Sequence, residues 1–293
     1  MSLTTLVLAG LGILTVFFSV IFIKDLVANK DNFEKETSFG ISAVIGAVVN
    51  FFDTLGIGSF APLTALLRGF KQVEDRIIPG TLNVSCTIPV ITEAFAFIQS
   101  VEVEPITLGG MLISAAAGAY LGAGIVSKLP TKKIQITVAF ALLATGIIMG
   151  IQMTPLFPGG GEAYGLTGIK LVIGIAANFV LGALMTAGIG LYAPCMALVY
   201  LLGMSPLVAF PIMMGSCAYL MPVASAKFVK EGAYNRKASL AITLGGIVGV
   251  LIAVFIVKSL PLKILKILVI CVMFYTAYSL LQAVKKIDAG EAA

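Results

Sequence analysis

The sequence predicts an all-α, polytopic membrane protein with one N-terminal helix and two inverted repeats. Each repeat is expected to contain a broken, re-entrant helical hairpin followed by three transmembrane helices. Three observations support this fold class: an apolar composition, a duplicated motif and opposite charge in matched loops. Of the 293 residues, 59% are hydrophobic and 11% are charged, whereas soluble domains carry roughly a quarter charged residues. No polar segment is long enough to fold as a soluble domain.

The leading helix and its loop are assigned to residues 1–36. No charged side chain occurs before Lys24, and about 20 apolar residues are enough to span a bilayer. The segment lacks the basic start and small-residue cleavage site of a signal peptide. We therefore expect an uncleaved first transmembrane helix.

The duplication is visible as the same motifs in the same order. GIGSFAPLTALL at 56–67 matches GIGLYAPCMALV at 188–199, and PITLGG at 105–110 matches AITLGG at 241–246. The offset between matched segments stays nearly constant, which indicates an internal repeat. The predicted segments are repeat 1 at 37–154, a linker at 155–170, repeat 2 at 171–284 and a cytoplasmic tail at 285–293.

Each repeat begins with an apolar stretch, 37–67 or 171–202, that is interrupted at its GIG motif. A continuous 30-residue helix would be about 45 Å long, too long for a hydrocarbon core of about 30 Å. A hairpin that returns to its own side leaves three crossings per repeat and so inverts the second copy. The alternative is that both stretches cross fully and the repeats are parallel.

Loop charges favour the inverted arrangement. The loops at 68–76 and 227–237 are basic, whereas their counterparts at 201–206 and 99–106 carry no cation. Likewise, 150–169 carries no cation, whereas the C-terminal tail carries Lys285 and Lys286. A fourth pair, before the last helix of each repeat, is basic in both copies. By the positive-inside rule, we expect the N-terminus outside and the C-terminus in the cytoplasm, in a bacterial inner (plasma) membrane.

The two broken stretches predict an anion site. Glycine lets the chain unwind and approach a ligand, and Pro62 and Pro194 suit the first turn of a restarted helix. The N-terminus of a half-helix offers free N–H groups to an anion. Close helix packing is the other interpretation of these glycines. The candidate substrate-binding residues are Gly56, Gly58, Ser59, Thr81, Asn83, Ser85, Gly188, Gly190 and Ser216, whose polar side chains serve equally well as interhelical hydrogen-bonding groups.

Two acids are candidates for proton coupling. Asp53 precedes the first break, where an ionisable group at membrane depth is costly and usually functional; it is interpreted as a proton carrier or as a cap for the restarted helix. Glu93 is interpreted as a second proton site or as an interfacial acid. The second copy has no acid at the position of Asp53. Asn50 and Asn178 precede the two breaks and remain ambiguous.

Metal, redox and nucleic-acid functions find little support. The chain has no histidine, and its four cysteines, Cys86, Cys195, Cys217 and Cys271, lie in apolar surroundings without C-x-x-C spacing. This pattern argues against zinc and haem, so we predict no cofactor and no metal. The net charge of +5 comes mostly from lysines in loops, which indicates membrane orientation and no nucleic-acid partner. Without a metal cluster or a nucleophile–base pair, the chain is not predicted to be an enzyme.

The paired glycine motifs followed by proline, together with PGTLNVSCTIP at 79–89, resemble the TauE/SafE-type sulfite exporter family. The resemblance extends from about Ser38 to Leu281. It implies a duplicated membrane transporter for sulfite, sulfoacetate or another small anion, often with proton coupling. The family's first motif is usually richer in glycine, and here Phe60 and Tyr192 would crowd the site or line it with aromatic rings.

The predicted function is therefore secondary transport of a sulfite- or sulfoacetate-like anion by alternating access. The expected partners are the anion, a proton or other coupling ion, and the lipid bilayer. The oligomeric state is open, with a homodimer among the options. A permease for a different solute and a channel built on the same repeats are the alternatives.

Overall fold

The computed structural model describes residues 3–126, 131–153, 161–185 and 190–288. In these ranges the chain is helical and contains no β-strand, which confirms the predicted all-α class. The α-helices, in chain order, are α1 (Leu3–Ala28), α2 (Phe39–Thr54), α3 (Phe60–Gly69), α4 (Ile78–Ser100), α5 (Pro105–Val126), α6 (Thr131–Gln152), α7 (Gly168–Met185), α8 (Tyr192–Leu201), α9 (Ala209–Lys230), α10 (Arg236–Ser259) and α11 (Leu262–Asp288).

Six segments in the described ranges are long and apolar enough to cross a membrane. They correspond to α1, α4, α7, α9, α10 and α11. The remaining apolar helices contain shorter qualifying stretches, among them Phe39–Thr54 in α2 and Tyr192–Leu201 in α8. The protein is thus a multi-pass membrane protein, as its composition indicates.

Both predicted breaks separate a longer helix from a ten-residue helix. The first separates α2 from α3, and the second separates α7 from α8. Pro62 and Pro194 are each the third residue of the restarted helix, where a missing N–H costs no helical hydrogen bond. Residues 186–189, which include Gly188, lie outside the described residues.

The first hairpin returns to the end from which it starts. Thr37 precedes α2 and donates its hydroxyl to the carbonyl of Gln72, which follows α3, at 2.8 Å. The Ser38 N–H donates to Gln72 Oε1 at 2.7 Å. Because these residues flank α2 and α3, the two helices form a hairpin.

The second hairpin is closed in the same manner by backbone groups. The N–H of Ser205, which follows α8, donates to the carbonyl of Ala163, which precedes α7, at 2.9 Å. Ala163 N–H in turn donates to Gly203 O at 3.4 Å. The α7–α8 segment therefore also begins and ends at one place; that both hairpins are re-entrant in the membrane stays a prediction.

The chain divides into two compact units, and each unit contains helices from both predicted repeats. Unit 1 contains Met1–Ser100 and Cys217–Ser259, and unit 2 contains Val101–Ser216 and Leu260–Ala293. In unit 1, α2 packs on α10; in unit 2, α7 packs on α5 and α6 packs on α11. Each hairpin thus packs against a helix that the sequence analysis assigns to the other predicted repeat. The inverted orientation and the repeat boundaries stay predictions.

Glycine allows the helix backbones in these pairs to touch. A Cβ at Gly245 or Gly249 of α10 would collide with the carbonyl of Ala43 or Ala47 in α2. In unit 2, a Cβ at Gly182 of α7 would collide with the carbonyl of Ala115 in α5. Small residues at such crossings permit close van der Waals packing without a hydrophobic driving force between helices.

Candidate functional site

The candidate site is built around the first break, where two glycines adopt left-handed backbone conformations. Gly56 has φ of 95° and Gly58 has φ of 88°, values that L-residues with a side chain rarely adopt. The Gly56 N–H donates to Asp53 O at 2.7 Å and the Ile57 N–H donates to Phe52 O at 3.2 Å. These bonds end α2 and turn the chain into α3.

Asp53 connects the end of α2 to the start of α3. Its side chain is 2% exposed, and its carboxylate accepts hydrogen bonds from the hydroxyl and the backbone N–H of Ser59, the residue before α3. Within the described residues, Asp53 Oδ2 accepts no hydrogen bond. The contacts fit a cap for the restarted helix, and the bare oxygen leaves a place for a proton.

Cys86 joins the predicted site residues of two helices. Its thiol contacts the hydroxyl of Ser59 and lies 3.8 Å from Ser85 Oγ. It also interacts electrostatically with Asp53 and Glu93. The structure therefore brings together four predicted residues, and it places among them a cysteine that the sequence suggested was only a small apolar side chain.

Glu93 is fully buried in α4, so the interpretation of Glu93 as an interfacial acid is wrong. A snorkelling side chain extends its charged end to water, whereas Glu93 Oε1 lies 2.8 Å from the Thr54 hydroxyl of α2. Thr54 was missed by sequence reasoning. The spacing of Asn50, Asp53 and Thr54 could have placed these three on one face of α2.

Two predicted site residues lie elsewhere on α4. The Thr81 hydroxyl donates to Ile77 O at 2.8 Å and accepts from Asn235 N–H at 3.0 Å, at the start of α10. Asn83 donates to Pro79 O at 2.9 Å. Thr81 thus serves an interhelical bond, and neither residue is among the contacts of Asp53, Cys86 and Glu93.

The second repeat provides neutral groups at its break. Asn178 Nδ2 donates to Met111 O at 2.7 Å and to Ser216 Oγ at 3.1 Å, and Ser216 donates to Ile212 O at 2.7 Å. Gly190 lies just before α8 and is exposed. Ser216 is therefore held by α7 and α9 in unit 2, where it bonds to an amide and not to an acid.

The two asparagines share one unusual property. Asn50 and Asn178 are fully buried, and in the described part of the chain neither Oδ1 atom accepts a hydrogen bond. Each asparagine follows a buried glycine by four residues, Gly46 or Gly174. Buried polar atoms are almost always paired, so these two acceptors mark equivalent polar positions beside the two breaks.

No group of three or more histidine, cysteine or acidic side chains in the described ranges could hold a metal ion. The site therefore consists of hydroxyls, a thiol, two carboxyls and backbone N–H groups. Such a set can bind a small anion through its donors and can hold a proton on its carboxyls.

Comparison with known proteins gives one family. The chain matches the family described as Sulfite exporter TauE/SafE over residues 2–149, which is just over half of its length. No curated protein and no solved structure matches the chain.

Proposed function

The chain belongs to the TauE/SafE family of membrane transporters for sulfite or related anions, and from this premise we propose that it is a proton-coupled secondary transporter. Its cargo is sulfite or a sulfoacetate-like anion, moved by alternating access. The family consists of transporters and not of enzymes. The single observation that carries the proposal is the N-terminus of α3, which follows the buried Ser59 and is reached through two left-handed glycines.

The first turn of α3 is the proposed anion site. The first N–H groups of any helix have no partner within it and carry a partial positive charge. Ser59 begins this turn and is 4% exposed, so an anion there would be shielded from water. Gly56, Gly58 and Ser85 border it, and Gly188, Gly190 and Ser216 are the proposed counterparts. Thr81 and Asn83 are left out because their contacts lie elsewhere.

Proton coupling follows from competition between the anion and Asp53. The ionised carboxylate of Asp53 occupies the hydroxyl and the N–H of Ser59, the same donors that an anion would use. A neutral carboxyl is a poorer acceptor and does not repel the anion. Binding of a proton to Asp53 thus releases Ser59 to the cargo, and the two are carried together.

The coupling proposal is tested by equilibrium binding of sulfite to the purified protein across neutral and acidic pH. We expect the affinity for sulfite to rise as pH falls. In Asp53→Asn, which imitates the protonated acid, the part of this pH dependence that comes from Asp53 should disappear. Asp31→Asn, at an exposed acid, is the matched control and corrects for protonation of sulfite itself. A wild-type pH profile in Asp53→Asn would exclude this role for Asp53.

The cargo is tested by counterflow in proteoliposomes with sulfite, sulfate, thiosulfate, sulfoacetate and acetate. A carrier shows saturable exchange of labelled for unlabelled anion, whereas a channel shows a single-channel current in planar bilayers. We expect saturable exchange for sulfite or sulfoacetate. Exchange of none of the sulfur-containing anions would overturn the proposed substrate class.

We also propose the inverted topology, with the N-terminus outside and the C-terminus inside a bacterial inner membrane. Its support is the charge of the loops that close the two hairpins. In unit 1 these loops and their neighbours carry the cations Arg68, Lys71, Arg236 and Lys237. In unit 2 they carry mainly acids: Glu102, Glu104 and Glu162, with the cation Lys170. Reporter fusions at the two termini test the orientation, and cross-linking tests for a homodimer; two cytoplasmic termini would contradict the topology.

A further inference from the structure

The hydroxyl of Thr54 has two acceptors and only one proton to give. Thr54 Oγ1 lies 2.8 Å from the carbonyl oxygen of Asn50 and 2.8 Å from Glu93 Oε1. Both distances are those of strong O–H···O hydrogen bonds. A threonine hydroxyl can donate once and can accept through its lone pairs. One of the two short contacts therefore needs a proton from the other partner.

Only Glu93 can supply that proton. A backbone carbonyl is an acceptor in every state, whereas a carboxyl becomes a donor when it is protonated. If Glu93 were ionised, one contact would place two oxygen atoms 2.8 Å apart without a hydrogen between them. Thr54 and Glu93 are both fully buried, so water cannot separate the atoms.

We propose that Glu93 carries a proton in this conformation and donates it to Thr54, which donates in turn to Asn50 O. This chain of hydrogen bonds connects α4 to the last turn of α2, directly before the first break. When Glu93 releases its proton to water, the Thr54 hydroxyl must rotate toward the new carboxylate and leave Asn50 O. The protonation of Glu93 is thereby linked to the helix end that positions Gly56 and Gly58.

The groups around Glu93 favour this state. Cys86 on α4 interacts electrostatically with both Asp53 on α2 and Glu93. The apolar part of α10, from Ala238 to Val257, contributes no titratable residue. Asp53 accepts from Ser59, as an ionised carboxylate does, and it is the chain neighbour of Thr54, whose hydroxyl contacts Glu93; a negative charge at this position favours a neutral Glu93. Two carboxyls in different environments commonly divide in this manner into one ionised and one protonated group.

The role of this proton in transport rests on the proposed function, but its presence can be measured without transport. A protonated carboxyl has a C=O stretching band in the infrared spectrum that a carboxylate lacks. We expect the full-length protein in lipid nanodiscs to show this band at neutral pH. Glu93→Gln should abolish it while keeping a donor to Thr54, and Asp53→Asn and Glu102→Gln should retain it.

A second variant tests the hydrogen bond itself. Thr54→Val preserves the shape of the side chain but removes the hydroxyl, so the Glu93 band should remain and shift to higher frequency; Thr54→Ser should restore the wild-type position. A missing band in the wild type, or a band that survives in Glu93→Gln, would overturn the inference. A band that behaves as expected in a protein whose sulfite binding ignores pH would support protonated Glu93 and refute only the proposed coupling.

Discussion

The two helical hairpins share one construction and differ in the chemistry of their side chains. Each consists of a longer helix and a ten-residue helix with proline at its third position; the first packs on α10 and the second on α5. The first carries Asp53 and Thr54 and faces Glu93, whereas the second carries Asn178, which bonds to Ser216. The first break thus has acids beside it, whereas residues 171–202 around the second contain no acid in the sequence. We infer that proton handling depends on the first break.

The largest expected effect is the loss of stability when close helix packing is disturbed, and we expect this loss to be similar in the two hairpins. Gly245→Ala in α10 and Gly182→Ala in α7 each drive a methyl group into a facing backbone carbonyl. We expect each to cost about 3 kcal/mol of unfolding free energy. Thermal unfolding in detergent measures the loss, with Gly40→Ala and Gly150→Ala as helical controls that have open space around the added Cβ. The controls should be neutral or gain up to about 1 kcal/mol.

A test of the first break follows from its backbone conformation. Gly58 has φ of 88° and has open space where a Cβ would lie. Gly58→Ala should therefore cost about 1–2 kcal/mol through strain alone, with a matching fall in sulfite affinity. Gly40→Ala, near the start of α2 and also with open space around the added Cβ, should leave sulfite affinity near wild type and should not lower stability. Equal losses from the two substitutions in thermal unfolding and binding assays would contradict this role of the Gly58 conformation.

The asparagines should differ in stability by a smaller amount. Asn178 bonds to two neighbouring helices, whereas Asn50 Nδ2 donates to Gly46 O in its own helix at 2.8 Å. Asn178→Ala should cost about 1 kcal/mol more than Asn50→Ala. Thermal unfolding of the two variants measures this difference, and a larger loss in Asn50→Ala would reverse our assignment of their contacts.

The smallest effect concerns the loop that leads into α5. Glu104 accepts from Ile106 N–H at 2.9 Å and from Thr107 N–H at 2.7 Å. Burial raises the pKa of Glu104, but the bonds from Thr107 and Ile106 outweigh it and hold the pKa below its ordinary value of 4.5. The ionised group therefore stabilises the fold above that value, and the gain is lost as pH falls through the lowered pKa. Glu104→Gln should reduce stability at pH 7 by less than about 1 kcal/mol, with no difference from wild type in strong acid.

Much of the hairpin architecture could be predicted from local sequence. Glycine followed by proline specifies where a helix stops and restarts, and the repeated order of motifs specifies that this happens twice. Pro62 and Pro194 occupy the expected turns for that reason. These features depend on backbone sterics and on the chain itself, so they do not require knowledge of tertiary contacts.

The composition of the site could not be predicted in the same way. In a membrane protein both the lipid-facing and the buried faces of a helix are apolar, so sequence periodicity does not reveal which face is buried. Glu93 therefore fitted an interfacial acid as well as a proton site, Thr54 was not predicted, and Cys86 was interpreted only as a cysteine in apolar surroundings. Thr81 resembled an anion ligand because its hydroxyl is equally suited to the interhelical bond that it makes with Asn235.

The most direct test of the central claim is the pH dependence of sulfite uptake by proteoliposomes that contain wild type or Asp53→Asn. If the acid at the first break couples protons to the anion, an inwardly directed proton gradient should accelerate uptake by wild type and by the Asp31→Asn control. It should have no effect on Asp53→Asn, although that variant should still exchange sulfite. Acceleration of Asp53→Asn to the same extent as wild type would contradict the claim.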